Sequence, residues 1–210
     1  MYLDDYVKAK RPLNYWRELL YEWVFLVHRV YRVSKGRSAV HSESERANTG
    51  ILAAASIKNG WIALEESKTE KVSIKPKKET YFGRCDLILW RDQRHHKIEA
   101  KCSRFNLYGN VWERIVRAHE KSKLDTQKAI YVGYKSEKKI AITFIIPVVD
   151  KSKLDDYSDA DIKEKLKTLI KYIEDELSPT VMSYAFPGPV HMEGRVRMAL
   201  GVILIGDVIV

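Results

Sequence analysis

Cysteine is scarce in this chain: Cys85 and Cys102 are the only two among 210 residues. Two cysteines cannot form a disulfide framework, and neither sits at a metal-ligand spacing, so a disulfide-stapled scaffold is excluded. Long apolar runs are also lacking. The longest, residues 140–149 and 198–205, are too short to cross a bilayer. The first residues, MYLDDYVK, are acidic and have no apolar stretch of the kind a secretory signal carries. A cytoplasmic protein without membrane contact is the expectation. There is no internal repeat, no low-complexity tract, and no base-reading motif such as a helix-turn-helix or zinc finger.

Negative charge is in deficit. Against 37 Lys and Arg stand 28 Asp and Glu, a formal net charge of +9, with an isoelectric point near 9.4. That balance favours a polyanionic partner, nucleic acid before others. Apolar residues at 45% and charged residues at 31% describe an ordinary globular chain. Its length suits one substantial core. Residues 1–210 therefore read as a single domain: an N-terminal helical elaboration (1–40), a core (42–149), and a C-terminal helix with strands (150–210).

The most informative stretch is residues 81–103, YFGRCDLILWRDQRHHKIEAKCS, which reads as two short strands joined by a polar turn. Side chains alternate across a strand, so Glu99 and Lys101 share one face while Ile98, Ala100 and Cys102 share the other. On the first strand Asp86, Ile88 and Trp90 oppose Cys85, Leu87 and Leu89. A hairpin symmetric about Asp92 and Gln93 sets Asp86 opposite Glu99, with Cβ atoms roughly 4.5–5.5 Å apart. A slip of one residue would turn one carboxylate to the other face. Two carboxylates so close repel unless a cation lies between them, and Mg2+ prefers such oxygen ligands. Lys101 on the same face is placed to orient a water or offset charge on a phosphate.

The spacing Asp86–(twelve residues)–Glu99–x–Lys101 resembles the PD-(D/E)xK phosphodiesterase superfamily, the restriction-endonuclease-like nucleases. GRCDLILW and KIEAKCS are similar to the second and third core strands of that family, although Cys85 stands where many members have proline. The resemblance implies an α/β fold, a central mixed sheet flanked by helices on a restriction-endonuclease-like core. It implies a Mg2+-dependent nuclease, with Mn2+ as a substitute ion. The expected substrate is nucleic acid, DNA first, cut endonucleolytically and in many members by a homodimer. The implied metal ligands are Asp86, Glu99, the Ala100 backbone carbonyl and a glutamate on the preceding helix, with Lys101 positioning the water. Glu45 is preferred over Glu43 for that glutamate, and Glu65 and Glu66 are weaker candidates. A different class remains as the alternative, a non-catalytic nucleic-acid-binding module on the same fold.

Along the rest of the chain, residues 13–33 carry an apolar stripe at helical spacing, and Gly36 is a plausible terminator. Residues 42–59 read as a second helix, with Ser42 and Glu45 spaced for a capping box and Gly60 as its stop. Glu45 is thus either a cap or a site residue. Residues 68–78 form a lysine-rich connection suited to phosphate contact, and His95 and His96 read as turn residues. Residues 111–128 read as a basic amphipathic helix, with Arg114, Arg117, Lys121 and Lys123 outward and Val111, Trp112, Ile115, Val116 and Leu124 inward. His119 and Gln127 read as surface residues sooner than as residues that approach the site. Strands are expected at 129–134 and 140–149, a helix at 152–177, and one or two buried strands at the end.

Overall fold

A computed structural model describes residues 2–72, 79–129, 137–154, 156–191 and 196–209. Among these residues nine strands form one large mixed sheet: β1 (Tyr6–Ala9), β2 (Ile62–Val72), β3 (Thr80–Arg91), β4 (Arg94–Asn106), β5 (Glu137–Asp150), β6 (Val181–Ala185), β7 (Val190–His191), β8 (Arg197–Ala199) and β9 (Val202–Ile209). The main order is β1-β6-β9-β5-β4-β3-β2, with β8 and β7 continuing from the end of β5. β4 and β5 run parallel, and the other ladders are antiparallel. Helices flank the sheet: α1 (Arg17–Val33), α2 (Glu45–Lys58), α3 (Trp112–Gln127), the single-turn α4 (Lys151–Leu154) and α5 (Asp159–Tyr172). The fold is α/β, and among the described residues no helix is long and apolar enough to cross a membrane.

β5 explains the layering. Every residue from Ile140 to Val149 is buried, as expected for a strand covered on both faces. Ile140, Ile142, Phe144 and Ile146 join one core with Trp16, Leu20 and Trp23 beside α1 and Leu52 of α2. Ile145 and Val149 join the other, with Ile115 of α3 and Ile162 and Leu166 of α5. Ile98 and Ala100 of β4 and Leu87 and Leu89 of β3 belong to the first core, with Cys102 packed against it. The alternation expected for the hairpin therefore holds around its turn. Arg91 pairs with Arg94, closing the loop on Asp92 and Gln93, with Asp92 at φ 55°, a conformation Asp tolerates better than most residues.

Several local expectations need correction. α2 is capped by Ser44, whose hydroxyl accepts the Ala47 N–H at 3.3 Å. Ser42 lies in a preceding 3-10 turn, and its hydroxyl donates to the Ala39 carbonyl. The Ser42–Glu45 box is absent, and Glu45 begins the helix with its carboxylate released from capping. Gly60 does follow the helix, at φ 76°, where a Cβ would be strained. The helix expected over 152–177 is divided. A capping box between Ser158 and Asp161 starts α5 afresh, and a π turn, Ile173–Leu177, follows it.

The N-terminal portion is not only helical, because β1 pairs with β6 at one sheet margin. Of the strand expected at 129–134, Ala129 makes an isolated bridge to Lys71, and the rest lies outside the described residues, as do residues 73–78 of the lysine-rich connection. The strand that follows α3 and lies parallel to β4 is β5. His95 and His96 are buried strand residues, not turn residues. His96 meets the Tyr15 hydroxyl at 2.9 Å and accepts from the Trp16 indole at 3.3 Å, and burial pushes its pKa down to about 3.

Candidate active site

The sheet opens at Asp86. On one side the β3–β4 ladder ends at Leu87 with Ile98. On the other, β2 pairs Glu65 with Leu87 and Ser67 with Cys85 but skips Glu66, whose φ is 51°. Beyond this point β2 and β3 continue as a two-stranded ribbon while β4 stays with β5. The counted register still sets Asp86 across from Glu99, as the hairpin symmetry predicts, but the two are not a ladder pair.

β4 thus loses its neighbour just where its backbone groups need partners. Side chains fill the gap. The Asp86 carboxylate accepts the Ala100 N–H at 2.7 Å, and the Lys101 ammonium donates to the Ala100 carbonyl at 2.7 Å. Glu45, reaching over from the first turn of α2, lies 3.8 Å from Lys101. Burial raises the Glu45 pKa and Asp86 adds to this, while Lys101 and the Cys102 N–H oppose it. Asp86 and Lys101 therefore both engage the backbone of the buried Ala100, and Glu45 stands beside Lys101 and the Cys102 N–H. Glu45, Arg46, Thr49, Glu65, Glu66 and Asp86 line a small cavity of about 40 Å³ beside it.

Glu99 is placed differently. It is 3% exposed, and its cation partner is Lys71 of β2, at 2.7 Å. Desolvation pushes its pKa up to about 7 against the pull of Lys71 and Lys101. Gly83 makes this pair possible, because a Cβ there would sit 2.9 Å from Lys71 Cδ. The bare backbone of β3 lets the lysine stem pass over it.

Sequence reasoning missed two members of this neighbourhood. Sequence alone places Lys71 in a basic connection, whereas in the strand it is buried. Asp125, near the end of α3, lies 3.6 Å from Lys101 and 2.8 Å from Lys128. Burial works against its ionisation, yet the two lysines hold its pKa below the ordinary carboxylate value. No local pattern marked Asp125, since only the tertiary approach of α3 to β4 brings it in. His119 moves the opposite way. It is fully buried, 3.1 Å from the Thr143 hydroxyl and 2.9 Å from Asp207, far from a surface role.

The donors present are carboxylates and a backbone carbonyl, hard oxygen ligands of the kind Mg2+ accepts. Among the described residues no three His, Cys, Asp or Glu side chains converge at metal-ligand spacing. Lys71 and Lys101 hold the positions next to the carboxylates. Comparison of the chain with family models, with curated proteins and with solved structures returns no match.

Proposed function

We propose that this chain is a metal-dependent phosphodiesterase acting on nucleic acid, with DNA the expected substrate, on a restriction-endonuclease-like core. The observation that carries the reading is that Asp86 and Lys101 both engage the Ala100 backbone where β3 parts from β4, with Glu45 3.8 Å from Lys101. An α/β frame with three antiparallel-linked strands, a helix and then a parallel strand (β2, β3, β4, α3, β5) is consistent with it.

Asp86, Glu99, Glu45 and the Ala100 carbonyl would hold Mg2+ or Mn2+. Such an ion, when bound, acidifies a coordinated water and offsets charge on a scissile phosphate. Lys101 holds a water or a non-bridging phosphate oxygen in place through its ammonium donors. Lys121, which also acts on Glu45 electrostatically, and the exposed Arg114 and Arg117 of α3 supply sequence-independent phosphate contacts. The net charge of +9 suits the same partner.

One observation favours the second reading, a binding module without catalysis. Glu99 and the Ala100 carbonyl are already matched by Lys71 and Lys101, so the site is self-compensated. Mg2+ separates the two readings. Bound to the native state alone, it raises the melting temperature with concentration. A Mg2+-dependent rise that Asp86→Asn removes supports the phosphodiesterase. No rise up to millimolar Mg2+ or Mn2+ supports the module.

A further inference from the structure

The β2–β3 ribbon beyond Asp86 has two unlike faces. Lys71 turns inward to Glu99, and Thr69 and Cys85 on the same face are buried. The other face carries Lys68 opposite Arg84 and Glu70 opposite Phe82. Phe82 is 83% exposed, and with Lys68, Gly83 and Arg84 it lines an open cleft.

Two features of this face are unfavourable in isolation. A phenylalanine in a strand ordinarily packs against a neighbour, and this one stands in solvent. Like charges directly opposite one another across a strand pair are destabilising, and Lys68 and Arg84 are so placed, with Glu66 answering Arg84 only through an exposed contact at 3.4 Å. An anion between the two cations and a flat apolar surface on the ring would remove both penalties. A nucleotide offers phosphate and base together, and stacking of a base on an aromatic side chain tolerates any sequence. Duplex bases are already stacked on one another and are not free to take the ring. A second protein strand is disfavoured along this margin, because exposed charges on an edge strand oppose strand addition, and Lys68 and Glu70 are exposed on β2.

The face is continuous with the candidate active site. Arg84 contacts Glu66 at 3.4 Å, and Glu66 lines the cavity that Asp86 and Glu45 share. Along β3, Arg84 is two residues from Asp86 and Phe82 four, roughly 7 and 13 Å. We infer that the ribbon is a track for unpaired nucleic acid: Lys68 and Arg84 hold a phosphate and Phe82 stacks a base next to the site that cuts the strand. The proposal rests on the phosphodiesterase reading for the cutting step and names its substrate class, a single strand or a duplex with an unpaired end.

The test is fluorescence anisotropy with a dye-labelled oligothymidylate and a duplex of the same length, in EDTA, alongside cleavage of both in Mg2+. The native chain is expected to bind the single strand more tightly. Phe82→Ala should weaken that binding roughly 5- to 100-fold and leave duplex binding within about twofold, and Phe82→Trp should restore it. Lys68→Ala with Arg84→Ala should weaken both and flatten the salt dependence. Because Phe82 is exposed, its variants keep the fold, which circular dichroism checks. Unchanged single-strand affinity in Phe82→Ala, a native preference for duplex, or a change in oligomeric state without a change in affinity would overturn the track. Metal-dependent duplex cleavage with no single-strand preference removes the track and leaves the phosphodiesterase. Phe82-dependent binding without cleavage removes the phosphodiesterase and leaves the track. Binding to neither nucleic acid overturns both.

Discussion

The Asp86 carboxylate accepts the backbone N–H of Ala100 at 2.7 Å, doing for β4 what the departing β3 backbone no longer does. This gives Asp86 a structural task beside its proposed catalytic one, and the two are separable. In Asp86→Asn the amide oxygen still accepts the N–H, so stability should fall by less than about 1 kcal/mol. Asp86→Ala orphans that N–H at a loss of about 1–3 kcal/mol. Urea unfolding reports the difference, while plasmid cleavage should be abolished in both.

Lys71 and Glu99 form a buried ion pair, and removing one member strands the other. Lys71→Met should be destabilising at pH 8, where Glu99 is charged in the native chain, by less than the roughly 3–5 kcal/mol of a pair whose survivor stays ionised, because the stranded Glu99 can take up a proton. The loss should be smaller at pH 5, where Glu99 binds a proton. Adding Glu99→Gln to Lys71→Met should recover much of the loss at pH 8. Equal losses at the two pH values, measured by urea midpoints, would contradict the pairing. Gly83→Ala should behave as a weaker Lys71 variant, since its methyl group meets the lysine stem.

Glu99 also sets a pH dependence. Its folded pKa, about 7, lies above the ordinary 4.5, so between these values the folded chain binds more protons than the unfolded one. Its contribution is therefore complete below pH 4.5 and is lost as pH rises toward 7. Glu99→Gln should remove that downward slope, as thermal melts at half-unit pH steps would reveal.

Asp207 has the opposite sign. Burial would raise its pKa, but hydrogen bonds from His119 and Thr180 outweigh this and bring it to about 2. The stability it contributes is present above pH 3.8 and is lost as pH falls through 2. Asp207→Asn should cost about 1–3 kcal/mol at pH 7, and the difference from the native chain should shrink toward pH 2 in denaturant melts.

What was legible in the sequence was what rests on short-range periodicity. The hairpin turn at Asp92 and Gln93, the faces of Ile98 and Ala100, and the strand at 140–149 all follow from alternation and apolar runs. α3 shows where this fails. Its fully buried stripe is Ile115, His119, Ser122 and Thr126, and three of these four are polar. The partners of His119, Thr143 and Asp207, come from distant strands, while Thr126 donates to the Ser122 carbonyl within the helix. Leu124, which helical spacing places inward, is 45% exposed. The candidate site divides in the same way. Asp86, Glu99 and Lys101 lie within one hairpin and were visible as a pattern. Lys71 and Asp125 join through a ribbon and a helix end that only the assembled sheet brings near. Glu45 reads equally as a capping residue in the sequence, and it is the capping of α2 by Ser44 that separates the two roles.

The most direct test of the proposed phosphodiesterase is cleavage of supercoiled plasmid and of short DNAs with unpaired ends in Mg2+, Mn2+ or EDTA, with Lys101→Ala beside the native chain. The expected result is cutting by the native chain in either metal, none in EDTA, and a loss of about 100-fold or more in Lys101→Ala. Cutting that persists in EDTA or in Lys101→Ala at the native rate would contradict a metal-dependent site built around Ala100.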